Sequence, residues 1–202
     1  MAEADIRPFD RAEQRRLKMD KLLQVAASCF NEKGFSGTAL KDVAQRLGLT
    51  DAALYYYVRN KEELVYACYS RAADVGADAM TRARAAGGRG LDQAERYLRY
   101  HIRALTGPEG PIAIMSEIPV LAAAHKAEIL QRSRAHSRGF ELILETGISD
   151  GSISPCDVRM TGNAVMSTIN WLPKWFRGSD PELRQQVEDS YVALLIDGLA
   201  LR

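Results

Sequence analysis

The sequence predicts an all-α fold of about nine helices. Apolar residues recur at three- and four-residue steps through most of the 202-residue chain, which is the spacing of one helix face. The alternation of apolar and polar residues that is typical of strands is nearly absent. Clusters of glycine and proline interrupt the helical pattern and mark the connections between helices.

The first sixty residues predict a three-helix domain with a helix-turn-helix. We place its helices at about 11–33, 38–47 and 50–57. The second of them has an apolar face at i, i+3, i+4 and i+7, made by Leu40, Val43, Ala44 and Leu47. Thr38 precedes this face as a candidate N-terminal cap, and Gly48 follows it, where a helix end favours a left-handed residue.

The third helix has an apolar inner face and a polar, aromatic outer face. Leu54 and Val58 lie one turn apart on the inner face. At about 100° per residue, the side chains that point away are Asp51, Ala52, Tyr55 and Tyr56. The major groove of DNA accepts a short helix of this kind after a glycine turn. An ordinary helical hairpin with solvated tyrosines is the other interpretation, and the agreement of many local signals favours DNA binding.

The segment LLQVAASCFNEKGFSGTALKDVAQRLGLTDAALYYYVRNKEELVYA (22–67) resembles the N-terminal domain of the tetracycline-repressor (TetR) family. The matching positions are Phe30, Gly34-Phe35, Thr38, Asp42-Val43-Ala44, Gly48-Leu49, Leu54-Tyr55-Tyr56, and Lys61 before Glu63-Leu64. Tyr57 and Val58 depart from the His-Phe pair of many members. The resemblance implies a transcriptional regulator, in most cases a repressor, that binds a palindromic operator as a dimer.

We therefore expect double-stranded operator DNA as a partner. In this hypothesis Tyr55 and Tyr56 contact phosphate or base-edge groups, and the small alanines beside them approach thymine methyl groups. Thr38 and Lys61 are predicted at helix N-termini, which hold phosphates. The complete set of candidate DNA-binding residues is Thr38, Lys41, Thr50, Asp51, Ala52, Ala53, Tyr55, Tyr56, Tyr57 and Lys61.

Charge is balanced, with 27 basic and 26 acidic residues, so nucleic-acid binding has to be local. A basic segment precedes the helix-turn-helix and contains Arg11, Arg15, Arg16, Lys18 and Lys21. It is either a phosphate-facing extension or a solvated helix start.

Cysteine usage and hydropathy predict a cytoplasmic protein without a membrane partner. Cys29 and Cys68 fall on apolar helix faces, as small core residues of a reducing compartment do, and with Cys156 they lack metal-ligand spacing. The N-terminus is acidic and has no apolar stretch of the kind found in signal peptides. The charge-free run 160–173 is shorter than the roughly 18 residues that a membrane span needs.

Residues 61–202 are predicted to form a second, helical domain for ligand binding and dimerisation, after a DNA-binding domain of residues 1–60. We place its helices at about 61–86, 91–105, a short stretch ending at Pro119, 121–146, 155–177 and 181–200. Three glycines in 86–90 end the first of these helices. Pro173 predicts a kink in the fifth.

The last two predicted helices, the eighth and ninth of the chain, indicate a homodimer. The run 160–173 has no charged residue, and 191–201 has only Asp197. A helix that is apolar all round must be covered on both sides, so one side is left for a partner chain. Gly162, Ala164 and Ser167 permit close approach, and the family resemblance implies the same contact. The other interpretation places both helices at the centre of a monomeric core.

No catalytic, metal-binding or cofactor-binding motif stands out. His101, His125 and His136 lack metal-ligand spacing, and there is no GxSxG, phosphate-binding or CxxC motif. The methionines and aromatics of the second domain either fill a plain core or line an apolar pocket. The candidate ligand-binding residues are Tyr97, His101, Met115, Phe140, Met166, Asn170, Trp171 and Trp175.

The stretch NWLPKWFRG (170–178) is similar to the end of the corresponding helix in family members that sense acyl-CoA thioesters. Its indoles beside Lys174 and Arg177 suit an acyl chain with a phosphate-bearing head. We expect a long-chain or polycyclic acyl-CoA as the small-molecule effector, and another hydrophobic molecule as the second candidate. The competing function is a helical carrier or enzyme with a vestigial helix-turn-helix. An activator would have the same sequence signature as a repressor.

Overall fold

The computed structural model describes residues 8–107, 120–176 and 180–201. The described residues form nine helices, and the β pairing among them is one isolated bridge between Ile153 and Ala200. The helices are α1 (Pro8–Gly37), α2 (Leu40–Arg46), α3 (Asp51–Tyr55), α4 (Lys61–Ala85), α5 (Gly90–Thr106), α6 (Ala123–Ser149), α7 (Val158–Asn170), α8 (Leu172–Trp175) and α9 (Pro181–Leu199). The predicted all-α class is confirmed.

The helix predicted at 155–177 differs from the structure at both ends. It begins only at Val158, because the Asp157 carboxylate accepts the Met160 N–H at 2.9 Å and caps the helix there. It is interrupted at Trp171 and continues as α8, with Pro173 in the first turn, where its missing N–H costs no intrahelical bond. The short helix predicted before Pro119 lies outside the described residues.

Two hydrophobic clusters form the core, and α4 contributes to both. The first cluster joins α1, α2 and α3 to the first half of α4 and the first part of α6, and it includes the buried Cys29 and Cys68. The second joins the other half of α4 to α5, α6, α7, α8 and α9. On α9, the 2% exposed Glu188 accepts hydrogen bonds from Arg103 at 2.6 and 2.8 Å and from Arg99 at 3.1 Å, which fixes α9 against α5.

No helix in the described part of the chain is long and apolar enough to cross a membrane. Within the same residues, no group of three or more His, Cys, Asp or Glu side chains is arranged to hold a metal ion.

Candidate nucleic-acid interface and effector cavity

Local sequence signals build the turn between α2 and α3. Ala44 and Leu54 are buried in the first cluster and hold the two helices against α1. Gly48 has a φ of 66°, a left-handed conformation that favours glycine. The Thr50 hydroxyl oxygen then accepts the Ala53 N–H at 3.2 Å and caps α3. The turn and the cap together fix the direction in which α3 leaves α2.

The outer face of α3 is exposed and aromatic. The exposed fractions of Tyr55 and Tyr56 are 55% and 71%, and Asp51 and Ala52 beside them are exposed as well. Tyr57 is half-buried, and its ring meets the Tyr56 ring edge-on with 5.3 Å between the centroids. Tyr57 therefore supports Tyr56 more than it reaches outward.

A surface groove runs between the start of α2 and α3. It is lined by Ala39, Leu40, Lys41, Asp51, Leu54, Tyr55 and Lys61. The exposed Lys41 and the half-buried Lys61 therefore lie beside the outer face of α3.

Thr38 does not cap α2. The N-cap residue is Ala39, and its N–H is accepted by the Asp42 carboxylate at 3.2 Å. Thr38 is 1% exposed, and its hydroxyl lies 2.8 Å from the Gly34 carbonyl oxygen and 3.1 Å from that of Cys29. Its side chain therefore shapes the turn between α1 and α2 and does not face solvent.

Lys61 is the first residue of α4, as predicted, but its ammonium group points back toward α1. Nζ donates to the carbonyl oxygens of Phe35 at 2.8 Å and Thr38 at 2.9 Å, and it lies 4.1 Å from the centre of the Phe35 ring. An ammonium group has three N–H bonds, so one remains for a further acceptor. Lys61 thus joins the start of α4 to the turn before α2.

The basic segment lies along the exposed side of α1. The Arg15 guanidinium carbon is 5.9 Å from the centre of the Tyr56 ring, within cation–π range. Arg16 pairs with two carboxylates of its own helix, at 2.6 and 3.4 Å, whereas Lys18 and Lys21 are exposed. Of these cations, Arg15 is the one that the structure places beside a tyrosine of α3.

A cavity of about 120 Å³ opens between α4, α5, α6 and the junction of α7 with α8. Its lining residues are Tyr69, Ala72, Ala73, Gly76, His101, Leu105, Ile129, Arg132, Ser133, His136, Ser137, Met166, Asn170 and Pro173. Sites for drug-sized ligands occupy about 300–1,000 Å³. In this state the cavity has room for a small group, and a larger acyl group would require its walls to move.

Three ring side chains, two in the lining and Tyr97 behind it, make the floor of the cavity polar. The Tyr97 hydroxyl oxygen lies 2.7 Å from Nε2 of His136 and 3.3 Å from Sδ of Met166. The His101 ring stacks on the Tyr97 ring with 5.4 Å between centroids. Nε2 of His101 lies 3.2 Å from Oδ1 of Asn170. The floor therefore links α5, α6 and α7 through hydrogen bonds.

The same three rings carry no charge near neutral pH. Burial, with a smaller effect of the nearby His136, lowers the pKa of His101 to about 4, although the hydrogen bond with Asn170 acts in the other direction. Burial also lowers the pKa of His136 and raises the pKa of Tyr97. The floor is thus polar but uncharged.

Five of the predicted ligand-binding residues lie at the cavity wall or behind it. His101, Met166 and Asn170 line the cavity, and the fully buried Tyr97 and Phe140 lie behind the lining. Sequence reasoning missed most of the wall on α4 and α6. A polar stripe at four-residue steps on α6 was the available signal, and it comprises Arg132, Ser133, His136 and Ser137.

The structure places Trp171 and Trp175 outside the cavity. Their exposed fractions are 57% and 47%, and Trp175 packs on Tyr191 of α9 with 6.4 Å between ring centroids. Because the helix breaks at Trp171, the indoles turn outward while Pro173 faces the cavity.

Lys174 also differs from its expected role beside an effector. Its Nζ donates to the backbone oxygen of Asn31 at 3.3 Å, which connects α8 to α1. Met115, Arg177 and the side chain of Arg11 lie outside the described residues.

The outward sides of α7 and α9 carry large apolar side chains in contact with solvent. Met160 is 66% exposed and Leu194 is 70% exposed. Exposed small or uncharged residues accompany them, namely Asn163, Ala164, Ser167, Thr168, Ser190, Ala193 and Gly198.

A helix-turn-helix with a bare aromatic face, next to a helical unit with a small cavity, defines a DNA-binding regulator with a ligand-binding domain. The family model of bacterial regulatory proteins of the tetR family matches residues 22–68, and that of the tetracyclin repressor-like C-terminal domain matches residues 87–199. The chain belongs to the TetR family of transcriptional regulators. Its members regulate transcription and are not enzymes. This membership argues against the competing interpretation of a helical carrier or enzyme with a vestigial helix-turn-helix.

Similar proteins extend over nearly the whole chain. The HTH-type transcriptional repressor KstR2 of Rhodococcus jostii (strain RHA1) is 26% identical over 199 residues, which cover 96% of each chain. The ketosteroid transcriptional regulator KstR2 of Mycobacterium tuberculosis has a TM-score of 0.79 at 22% identity, covering 92% of this chain and 96% of that one. AibR in complex with isovaleryl coenzyme A and operator DNA has a TM-score of 0.72 at 23% identity, covering 87% and 96%. The two structural likenesses show the shared fold.

The depressed pKa of His101 predicts that the protein loses stability in mild acid. Between pH 6.5 and about pH 4 the unfolded chain binds a proton that the folded protein excludes. The contribution of His101 to the free energy of unfolding is therefore fully present above pH 6.5. It decreases by about 3 kcal/mol as the pH falls toward 4. Urea unfolding at fixed protein concentration measures this loss. His101→Gln should remove most of it, and an unchanged pH dependence in that variant would show that His101 is not its source.

Proposed function

We propose that the protein is a one-component repressor that binds a palindromic operator as a homodimer and releases it when a small acyl-CoA thioester binds. Residues 1–60 would contact DNA, and residues 61–202 would bind the effector and form the dimer. The observation that carries the proposal is the exposed pair Tyr55 and Tyr56 on an otherwise well-packed helix-turn-helix. Action on operator DNA implies a cytoplasmic protein.

In the proposed complex, α3 lies in the major groove. The outer residues from Thr50 to Tyr56 would meet bases and phosphates, and Lys41 would meet the backbone from the facing side of the groove beside α3. The third N–H of Lys61 is free for a phosphate. The buried Thr38 and the half-buried Tyr57 would act by shaping this surface. Two such heads in a dimer would read half-sites about 34–36 Å apart.

Replacing both tyrosines tests α3 as the reading helix. The double variant Tyr55→Ala, Tyr56→Ala should lower operator affinity about 100-fold, because each side chain contributes roughly 1–3 kcal/mol of contact. Both rings are exposed, so the urea midpoint should not move. Fluorescence anisotropy at constant salt, with DNA from upstream of the chain's own gene, measures the affinity.

The matched double variant Tyr55→Phe, Tyr56→Phe separates the hydroxyl contacts from the ring contacts. If the alanine variant binds the same DNA as tightly as the unmodified protein, α3 is not the reader.

The outward sides of α7 and α9 support the proposed dimer. Glu188 binds Arg99 and Arg103 and so holds the inner side of α9 to α5. The side of α9 that carries the exposed Leu194 is left for a partner. Covering large exposed apolar side chains contributes about 25 cal/mol per Å² of apolar surface removed from water. A second copy of the chain presents a matching surface, as two-fold symmetric dimers require.

Leu194→Glu should convert the dimer to monomers at micromolar concentration and abolish operator binding. Leu194 is a better position for the charge than Leu195, which packs partly against the second cluster, so a change there would disturb folding as well. Leu17→Glu, at an exposed leucine of α1, is the matched control and should remain dimeric. Sedimentation velocity measures both, and a stable monomer for the unmodified protein would reject the dimer.

The cavity supports a short acyl group as the part of the effector that enters the protein. The lining is mainly apolar, and the volume of about 120 Å³ accommodates a short acyl group without movement of the walls, whereas the long-chain or polycyclic group that the sequence led us to expect would require the cavity to widen. The similar protein AibR is in complex with isovaleryl coenzyme A and operator DNA. The nucleotide of the thioester would remain at the cavity mouth.

Isovaleryl-CoA and butyryl-CoA should cause the protein to release operator DNA, whereas palmitoyl-CoA and free butyrate should leave the complex intact. By reciprocity, operator DNA should weaken thioester binding by the same factor, about 5- to 150-fold. Ala73→Phe, which fills the cavity, should bind DNA and ignore the thioesters.

Ala77→Phe is the matched control, since Ala77 is exposed one turn further along α4 and does not line the cavity. It should respond as the unmodified protein does. Release by palmitoyl-CoA alone would overturn the short-acyl assignment.

A further inference from the structure

One short helix contacts both the cavity and the DNA-binding helices through neighbouring residues. Pro173 of α8 is buried and lines the cavity. The next residue, Lys174, donates from Nζ to the backbone oxygen of Asn31 at 3.3 Å. Asn31 is 1% exposed and lies near the end of α1. Consecutive residues of α8 therefore connect the cavity wall to α1.

The carbonyl group of Asn31 lies where α1 is interrupted. Gly34 has a φ of 70° and a ψ of 175°, which breaks the regular helix just beyond Asn31. Carbonyl groups in the last turn before a helix ends carry partial negative charge and need donors from elsewhere, so a lysine there is favourable. Lys61 of α4 binds two further carbonyl oxygens of the same stretch. Two lysines, one from α4 and one from α8, thus hold residues 31–38.

The end of α1 in turn determines where α2 and α3 lie. Glu32, beside Asn31, accepts hydrogen bonds from the Arg46 guanidinium group at 2.6 and 3.1 Å. Arg46 is the last residue of α2, and the turn at Gly48 leads directly from it to α3. Since that turn is fixed locally, a shift at the end of α1 relative to α8 would move the tyrosine face of α3 with it.

The break before α8 allows this helix to shift against α7. Pro173 has no N–H, so it cannot continue the hydrogen-bond ladder of α7, and the two helices are separate segments joined at Trp171. An occupant of a cavity of only about 120 Å³ would touch its walls, Pro173 included. Pressure on Pro173 would displace the adjacent Lys174 from Asn31.

We propose that Lys174 is a positioning residue for operator binding. Its bond to Asn31 stabilises the arrangement of α1, α2 and α3 that fits the operator, and an occupant of the cavity breaks this bond through Pro173. The inference rests on the proposed function, because it specifies how the effector acts on the DNA-binding helices. It makes α8 a second link between the cavity and the helix-turn-helix, in addition to α4.

Lys174→Met tests the link in the full-length protein, because it keeps the aliphatic stem and removes the ammonium group. The variant should bind operator DNA more weakly and, without DNA, should bind isovaleryl-CoA more tightly. In a two-state equilibrium the two factors multiplied together equal the whole effect of the lost bond, about tenfold for one hydrogen bond from a charged donor. Fluorescence anisotropy measures operator affinity, and isothermal titration measures isovaleryl-CoA affinity.

Two further variants separate positioning from a general effect on the fold. Lys174→Arg should restore both affinities, because a guanidinium group donates to the same carbonyl oxygen. Lys126→Met, at an exposed lysine of α6, is the matched control and should leave both affinities unchanged.

Hydrogen–deuterium exchange tests the same bond without any ligand or DNA. Backbone amides in residues 31–38 should exchange several-fold faster in Lys174→Met than in the unmodified protein or in Lys126→Met. The amides of α5 and α6 should exchange at the same rate in all three proteins, since their packing does not depend on Lys174.

Operator and isovaleryl-CoA affinities that both fall in Lys174→Met overturn the inference, because Lys174 would then only support the fold. Unchanged exchange in residues 31–38 overturns it as well and leaves the proposed function intact. If the unmodified protein binds operator DNA but not isovaleryl-CoA, the proposed effector is rejected. Operator affinity and exchange then decide the positioning role of Lys174: weaker binding with faster exchange supports it, and any other result overturns it.

Discussion

The placement of α4 is the constraint on which the rest of the structure depends. Its first half is buried against α1, α2 and α3, and its second half against α5 and α6. Since protein interiors are close-packed, neither cluster can move along α4 without disturbing the other. Tyr69, Ala72 and Gly76, in the middle of the helix, line the cavity. Under the proposed function, a ligand in the cavity would therefore press on the same element that positions the helices expected to face DNA.

Polar contacts at the start of α4 extend this coupling to both sides. Lys61 donates to two carbonyl oxygens of the α1–α2 turn. The neighbouring Glu62 accepts the Ala122 N–H at 3.1 Å and lies 2.9 Å from Nδ1 of His125 on α6. Burial alone would raise the pKa of Glu62, but the hydrogen bonds with His125 and Ala122 lower it, so the carboxylate stays charged. Because α6 also forms a cavity wall, its displacement would act on α4 through Glu62, and a coupling of about 1–3 kcal/mol is enough for regulation.

The features that the sequence predicted well are those decided within a few residues. The left-handed Gly48 and the capping Thr50 follow from local backbone geometry, and so do the existence and order of the helices. The predicted capping role of Thr38 was wrong because its hydroxyl donates to carbonyl oxygens of α1, and the turn at Gly34 brings those oxygens close to it. For the same reason periodicity could not show that Trp171 turns away from the cavity, since the direction of an indole after a helix break is set by tertiary packing.

The cavity floor was the least predictable part because its members are isolated in sequence. His101 and His136 lie on different helices, and a lone histidine on a helix carries no sign of a partner. Their rings lie against Gly76 of a third helix, α4. Because glycine has no side chain, it leaves space there that the pattern of apolar residues in the sequence does not predict. An apolar residue in place of His101 would avoid the buried, unpartnered Nδ1 and its stability cost of about 1–3 kcal/mol. The fold as a whole tolerates this local cost because the two hydrophobic clusters that α4 joins stabilise it on both sides of the cavity.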